Sequence, residues 1–176
     1  AVQQGLARAV GVSNYSAGQM LRTHRILAQR GLPLASNQVH YSLLHRDVER
    51  NGVLQTCHEL GVTLIAYSPL EMGLLSGKYT PENPPPGVRG QRYSRQLLAE
   101  IQPLVKALAA IGERHGGKTP AQVALNWLIY KGVVPIPGAK NARQAADNAG
   151  ALGWSLDEAE VQQLDELSER VGRVEL

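Results

Sequence analysis

The chain has 176 residues, 43% of them hydrophobic, which is enough for the core of one domain; with no Phe and only 5% aromatics, that core is aliphatic. Its 18 basic and 15 acidic residues are mixed along the sequence and leave a net charge of +3, so no basic block points to nucleic acid or to a membrane surface. A lone cysteine excludes an internal disulfide, and no apolar run reaches the length of a membrane-spanning helix.

Cys57 lies among Val53, Leu54 and Leu60 at helical spacing, which suits a buried thiol better than a nucleophile or metal ligand. The expected compartment is reducing: cytoplasmic, or a plastid. Nothing at the start reads as a signal peptide, and Ala1-Val2-Gln3-Gln4-Gly5, with no methionine, reads as the last turn of a helix with a glycine cap. The chain is therefore expected to begin inside an element.

The first strand is predicted over Ala7 to Ser13. A helix follows from a Ser16 cap, with Ala17, Met20, Leu21, His24, Leu27 and Ala28 on one face and Gly31 as its stop. His24 reads as a hydrogen-bonded boundary residue, because no second metal-type residue is spaced with it. Leu34 to His40 is the second strand, a helix runs from about Glu49 to Leu60, and Val62 to Tyr67 is a nearly continuous apolar third strand. Strand starts near 7, 34 and 62 are about one βα unit apart.

From Ser68 to Tyr93 the prolines and glycines exclude regular structure and leave a long loop carrying Lys78, Arg89 and Arg92, which is functional or simply a mobile insertion. A helix from a Ser94 cap to about His115 carries Leu97, Leu98, Ile101, Leu104, Val105, Leu108 and Ile111 inward, and Pro103 should start, kink or split it. Thr119-Pro120 opens another helix to Lys131, with Trp127 in the core. The fourth strand, Val133 to Pro137, leads through Gly138-Ala139-Lys140-Asn141 into a further helix. Ser155-Leu156-Asp157-Glu158 reads as the capping box of the last one.

The turn after the fourth strand has the layout of an anion site. Helix-start N–H groups point outward, the helix dipole favours negative charge, and Lys140 or Arg143 adds a full positive charge. On this stretch alone a phosphate site and an ordinary strand, turn and helix are equally good readings. The other strand ends weigh on the choice, because ligands of parallel β/α proteins bind at the carboxyl ends of the strands. Those ends are polar and unlike one another: Ser13-Asn14, Gln38 with His40, and Tyr67-Ser68. Ser, Asn and Gln can hold an amide, a tyrosine ring offers a stacking face, and the fourth end suits phosphate, together the parts of a nicotinamide dinucleotide.

Six stretches in series resemble the motifs of the aldo-keto reductases: Gly11-Val12-Ser13-Asn14-Tyr15, Asn37-Gln38-Val39, Ala66-Tyr67-Ser68-Pro69-Leu70, Leu74-Leu75-Ser76-Gly77-Lys78-Tyr79, Thr119-Pro120-Ala121-Gln122-Val123-Ala124-Leu125 and Pro135-Ile136-Pro137-Gly138-Ala139-Lys140. The likeness covers essentially the whole chain and is nearest to bacterial and plastid-type members. It implies an α/β fold, the second half (four βα units) of a (β/α)8 TIM barrel, with residues 1–176 as a single partial domain and the cofactor loop at about 68–93. It also implies NADP as cofactor and a small-molecule carbonyl as substrate.

By position, the resemblance assigns Ser13, Asn14 and Gln38 to the nicotinamide carboxamide and Tyr67 to the ring. Ser68, Pro69, Leu70 and Lys78 would line the pyrophosphate, and Gly138, Ala139, Lys140, Gln144, Asp147 and Asn148 would surround the adenosine and its 2′-phosphate. Lys140, helped by Arg143, is the reason to expect NADP over NAD. Arg89 would clamp the cofactor. The family's catalytic tyrosine, lysine, aspartate and histidine belong to the first half and have no counterpart here, so no catalytic residue is assigned and the chain alone is expected to be inactive. Two other readings remain at this level: an NADP-binding regulatory subunit resembling potassium-channel β subunits, and an inactive half-barrel that self-associates through open edges and an uncovered apolar face.

Overall fold

The computed structural model describes residues 1–87, 90 and 93–171. Its centre is a four-stranded, wholly parallel sheet of β1 (Val10–Ser13), β2 (Leu34–His40), β3 (Thr63–Tyr67) and β4 (Val134–Pro135), in that spatial order. The helices are α1 (Ala17–Ala28), α2 (Asp47–Arg50), α3 (Val53–Leu60), α4 (Arg95–Glu100), α5 (Gln102–Arg114), α6 (Pro120–Tyr130), α7 (Ala142–Ala149) and α8 (Glu158–Glu169). Strands alternating with helices in a parallel sheet are the expected βα repeat.

The two faces of the sheet differ. Asn37 and Val39 of β2 and Leu64 and Ala66 of β3 are buried beneath the helices. Their alternates, Ser36, Gln38, His40, Ile65 and Tyr67, are half-buried, and Ser13, Thr63, Val134 and Ile136 are exposed. The expectation of an uncovered apolar face needs correcting, since Ser13, Ser36, Gln38 and Thr63 interleave with Ile65, Val134 and Ile136 there.

Caps decide most helix boundaries. Ser16 and Gln19 form a capping box on α1, and Thr119 and Gln122 form one on α6, with Pro120 at its first position. The predicted helix over 49–60 is two helices, broken at left-handed Gly52 (φ 79°). That over 94–115 also divides, at Ile101, because Pro103 lacks an N–H and suits the first turn of α5. The last helix is capped by Asp157 with Glu160, two residues later than the Ser155 box predicts. β1 starts at Val10, where a register shift against β2 marks the end of regular pairing, and β4 shrinks to two residues, Val134 and Pro135, with Pro137 shortly beyond. In the 68–93 loop Glu71–Ser76 is a 3-10 helix, which Met72 (φ 50°) and Gly73 (φ 97°) bend in its middle. On α1 only Met20 is buried; Leu21 and Ala28 face solvent, while α1 packs against β2 and α3.

The core sits between the sheet and α3, α5, α6 and α8. Trp127 is fully buried, packs edge-on against Tyr41 at 5.4 Å and donates its indole proton to Asp165 Oδ1 at 2.9 Å. Cys57 is fully buried, and burial pushes its thiol up to about 11, so it stays protonated as a packing group. Buried Asn126 fastens the loop after α7: its Nδ2 donates to the carbonyls of Ala151 (3.0 Å) and Trp154 (2.9 Å), and its Oδ1 accepts from Leu156 N (3.0 Å). A polar group this deep is tolerated because each of those bonds is made.

Candidate cofactor site

The parallel order brings the carboxyl ends of all four strands to one rim. In register, Ser13 stands beside Gln38, Gln38 beside Ile65, and His40 beside Tyr67. Side chains opposite one another in register share a face, so Ser13, Gln38, His40 and Tyr67 all belong to the open side of the sheet. Ser13 Oγ donates to Gln38 O at 3.0 Å, and Asn14 N donates to the same carbonyl at 2.9 Å. Tyr67 donates its hydroxyl proton to Asn14 Oδ1 at 3.3 Å.

Asn14 (φ 57°) and Ser68 (φ 52°) sit in the left-handed region where β1 and β3 end. Non-glycine residues are held there only at a cost, and such positions gather at functional sites. The side chain of Gln38 is half-buried and bonds to no group among the described residues, leaving an amide donor and acceptor together. This pair matches what a carboxamide needs.

Beneath the rim, Asn37 orients the loop after β1. Its Nδ2 donates to Tyr15 O at 3.0 Å and its Oδ1 accepts from Tyr15 N at 3.3 Å. Tyr41, next in chain after His40, turns inward and donates to Glu49 Oε1 at 2.5 Å; burial pushes its hydroxyl far up, which makes it a neutral structural donor. Burial raises the Glu49 carboxyl as well, but bonds from Arg46 and Tyr41 more than reverse this and hold it below the usual range.

Beyond β4, Ile136 N still bonds to Ala66 O at 3.0 Å, so the turn 137–140 leaves the sheet next to the end of β3. Asn141 caps α7, accepting from Gln144 N at 2.9 Å, as its position suggests. The Gln144 side chain folds back to accept from Lys140 N at 2.7 Å, and Asn148 Nδ2 reaches Gly138 O at 3.5 Å. Lys140 forms no ion pair among the described residues; Arg143 lies 4.0 Å from Asp147 with both side chains exposed. Gly138 and Ala139 expose their backbone.

In the loop after β3, Pro69 is buried and Leu70 half-buried. Lys78 lies with its ammonium 4.7 Å from the Tyr79 ring centre, beside Gly73. Among the described residues, no bond ties the Lys78 side chain to the other rim residues. Arg89 lies outside the described residues, as does Arg92.

One rim feature has no motif behind it. Glu71 is fully buried, and its Oε1 meets His40 Nε2 at 2.7 Å and accepts from Ser42 Oγ at 2.5 Å. Sequence reasoning placed His40 at the strand end but gave Glu71 no role, because a carboxylate inside a proline- and glycine-rich stretch reads as solvent-exposed.

The profile of the Aldo/keto reductase family matches residues 1–169. The chain belongs to that family. This aldo/keto reductase chain is 48% identical over 163 residues to the chloroplastic pyridoxal reductase of Arabidopsis thaliana, an alignment covering 93% of the chain and 44% of that protein. Its fold superposes with a TM-score of 0.72 on a thermostable aldo-keto reductase crystallised with the inhibitor epalrestat, at 33% identity, covering 94% of this chain and 50% of the other. Against the glycerol dehydrogenase of Gluconobacter oxydans the TM-score is 0.82 at 25% identity, with 99% and 53% covered. The aldo/keto reductase chain thus spans about half the length of the relatives it matches. Its four-stranded parallel α/β sheet agrees with the half-barrel expected. No helix among the described residues is long and apolar enough to cross a membrane.

Proposed function

We propose that this chain is the cofactor-binding part of an NADP-dependent oxidoreductase that reduces a small aldehyde or ketone, with residues 1–176 acting as one partial domain of that enzyme. When bound, NADPH supplies the hydride for a carbonyl carbon. The chain's own residues bind and orient. Ser13, Asn14 and Gln38 hold the carboxamide, which decides the face the nicotinamide presents, and Tyr67 lies against the ring. Ser68, Pro69, Leu70 and Lys78 follow the pyrophosphate. Gly138 and Ala139 bring backbone close to the 2′-phosphate, Lys140 gives it a cation, and Gln144, Asp147 and Asn148 frame the adenosine.

The observation that carries this reading is that the Gln38 amide on β2 has no partner, and Lys140 beyond β4 no ion pair, among the described residues. A carboxamide and a phosphate are the two ends such a rim can distinguish. No residue described at the rim is assigned the proton to the carbonyl oxygen, so the chain by itself is expected to bind and not to turn over; a second set of βα units, or a second copy, would complete the enzyme.

The test is a fluorescence titration of the 176-residue chain with NADPH and with NADH. Binding of NADPH, tighter than NADH by tenfold or more, supports the proposal. Failure to bind either dinucleotide, or carbonyl-dependent NADPH oxidation by the chain alone, overturns it.

A further inference from the structure

Three rings stand nearly parallel at the rim. The His40 ring lies 3.9 Å from His45, with 9° between their planes, and 5.2 Å from Tyr67, with 17° between them. The second spacing is close to the distance between neighbouring strands, as lateral partners in register should show.

His40 is held from several sides. Its Nε2 meets the buried Glu71 carboxylate at 2.7 Å, which fixes the rotation of the ring about its bond to the backbone. Ser42 donates to the same Glu71 oxygen and also accepts from Leu44 N at 3.1 Å. Paired backbone bonds between Ser42 and His45, at 3.2 and 3.1 Å, close the tight turn that returns the His45 ring over His40. The arrangement is costly. Glu71 (φ 46°) and Met72 (φ 50°) occupy left-handed backbone, and Glu71 Oε2 is buried without a partner among the described residues. Burying a carboxylate in strained backbone to hold one imidazole exceeds what covering a strand end requires.

We infer that His40, clamped by Glu71 and backed by His45, is a positioning residue that sets the plane of Tyr67 for a stacked nicotinamide ring. This rests on the cofactor reading above and deepens it. Tyr67 is fixed at its hydroxyl end by Asn14 and along one side by His40, so the ring cannot swing toward β2. A ligand ring stacking on it meets a surface already oriented, which lowers the ordering cost of binding.

The test compares two ligands across variants of the full 176-residue chain: NADPH, and adenosine 2′,5′-bisphosphate, which lacks the nicotinamide. His40→Leu should raise the Kd for NADPH about tenfold, shift the emission of bound NADPH toward that of free NADPH, and leave the Kd for the bisphosphate within twofold. His40→Phe, which keeps a stacking ring without the Glu71 bond, should restore part of the NADPH affinity. If removing His40 destabilises the chain, the isosteric Glu71→Gln variant loosens the same clamp and should cost about threefold for NADPH alone. Equal loss for both ligands, or loss for neither, overturns the inference and leaves the cofactor site standing. An unsubstituted chain that binds neither ligand removes both.

Discussion

The Tyr67 hydroxyl and the Asn14 carboxamide meet at 3.3 Å across strands that are not neighbours, since β2 lies between β1 and β3. The contact spans the rim above Gln38, and Asn14 reaches it from left-handed backbone. Substitution can separate the two roles. Asn14→Gly and Asn14→Ala both remove the amide and should weaken NADPH about tenfold, the loss of one hydrogen bond of about 1–1.5 kcal/mol. Only Asn14→Ala should also lower stability to urea, by about 1 kcal/mol, because alanine disfavours the positive φ that glycine accepts.

Lys140 is exposed and forms no ion pair among the described residues, so its removal should leave folding untouched. Lys140→Met is expected to cut the preference for NADPH over NADH by about tenfold or more, since a charge-assisted bond to phosphate contributes about 1.5–3 kcal/mol. The measurement is the ratio of the two dissociation constants at fixed salt. An unchanged ratio would move the phosphate elsewhere.

Asn126 should behave as a structural amide. Asn126→Leu keeps the volume but strands two carbonyls and an N–H in the interior, and should cost about 2–4 kcal/mol in urea unfolding. The same method should find Gly112→Ala damaging. A Cβ there would stand 1.9 Å from Lys118 O, inside the turn where Lys118 N bonds to Gly112 O at 2.9 Å, and backbone on both sides leaves nothing free to shift.

Glu160 gives the fold an acid-sensitive lock between α5 and α8. Burial raises its carboxyl, but His115, the Asp157 backbone and Arg114 outweigh that and hold it below the usual range. With the folded value depressed, the stabilisation is present above the unfolded value of about 4.3 and is lost as pH falls through the folded one. Glu160→Gln should therefore cost about 1 kcal/mol at neutral pH and flatten the stability profile below about pH 4.5, read by urea unfolding at a series of pH values. A parallel profile in the variant would show that other carboxylates govern the acid limb.

What could be read in advance follows from how local each signal is. Ser16 with Gln19 and Thr119 with Pro120 are complete within a few residues and were legible as helix starts. The strand ends were legible because β/α alternation puts them on one rim whatever the packing. The extent of β4 was not, since β-branched residues suggest a longer strand, and Pro135 within it and Pro137 after it limit pairing only once β3 is beside them. Nor was the role of Glu71, whose partners His40 and Ser42 lie some thirty residues away in sequence. The solvent-facing half of α1 is a related case: Leu21 belongs to the apolar periodicity, but α1 packs against β2 and α3, and Leu21 stays exposed.

Pro135 gives the sheet a direction in which it resists growing. Ile136 N turns toward β3, so alternation points Pro135 outward, where a fifth strand would look for a proton that proline does not carry. Along that border a newcomer is offered acceptors with one silent position between them. Endless stacking of identical sheets is thereby discouraged, and a strand that docks there must present its own donors in matching register.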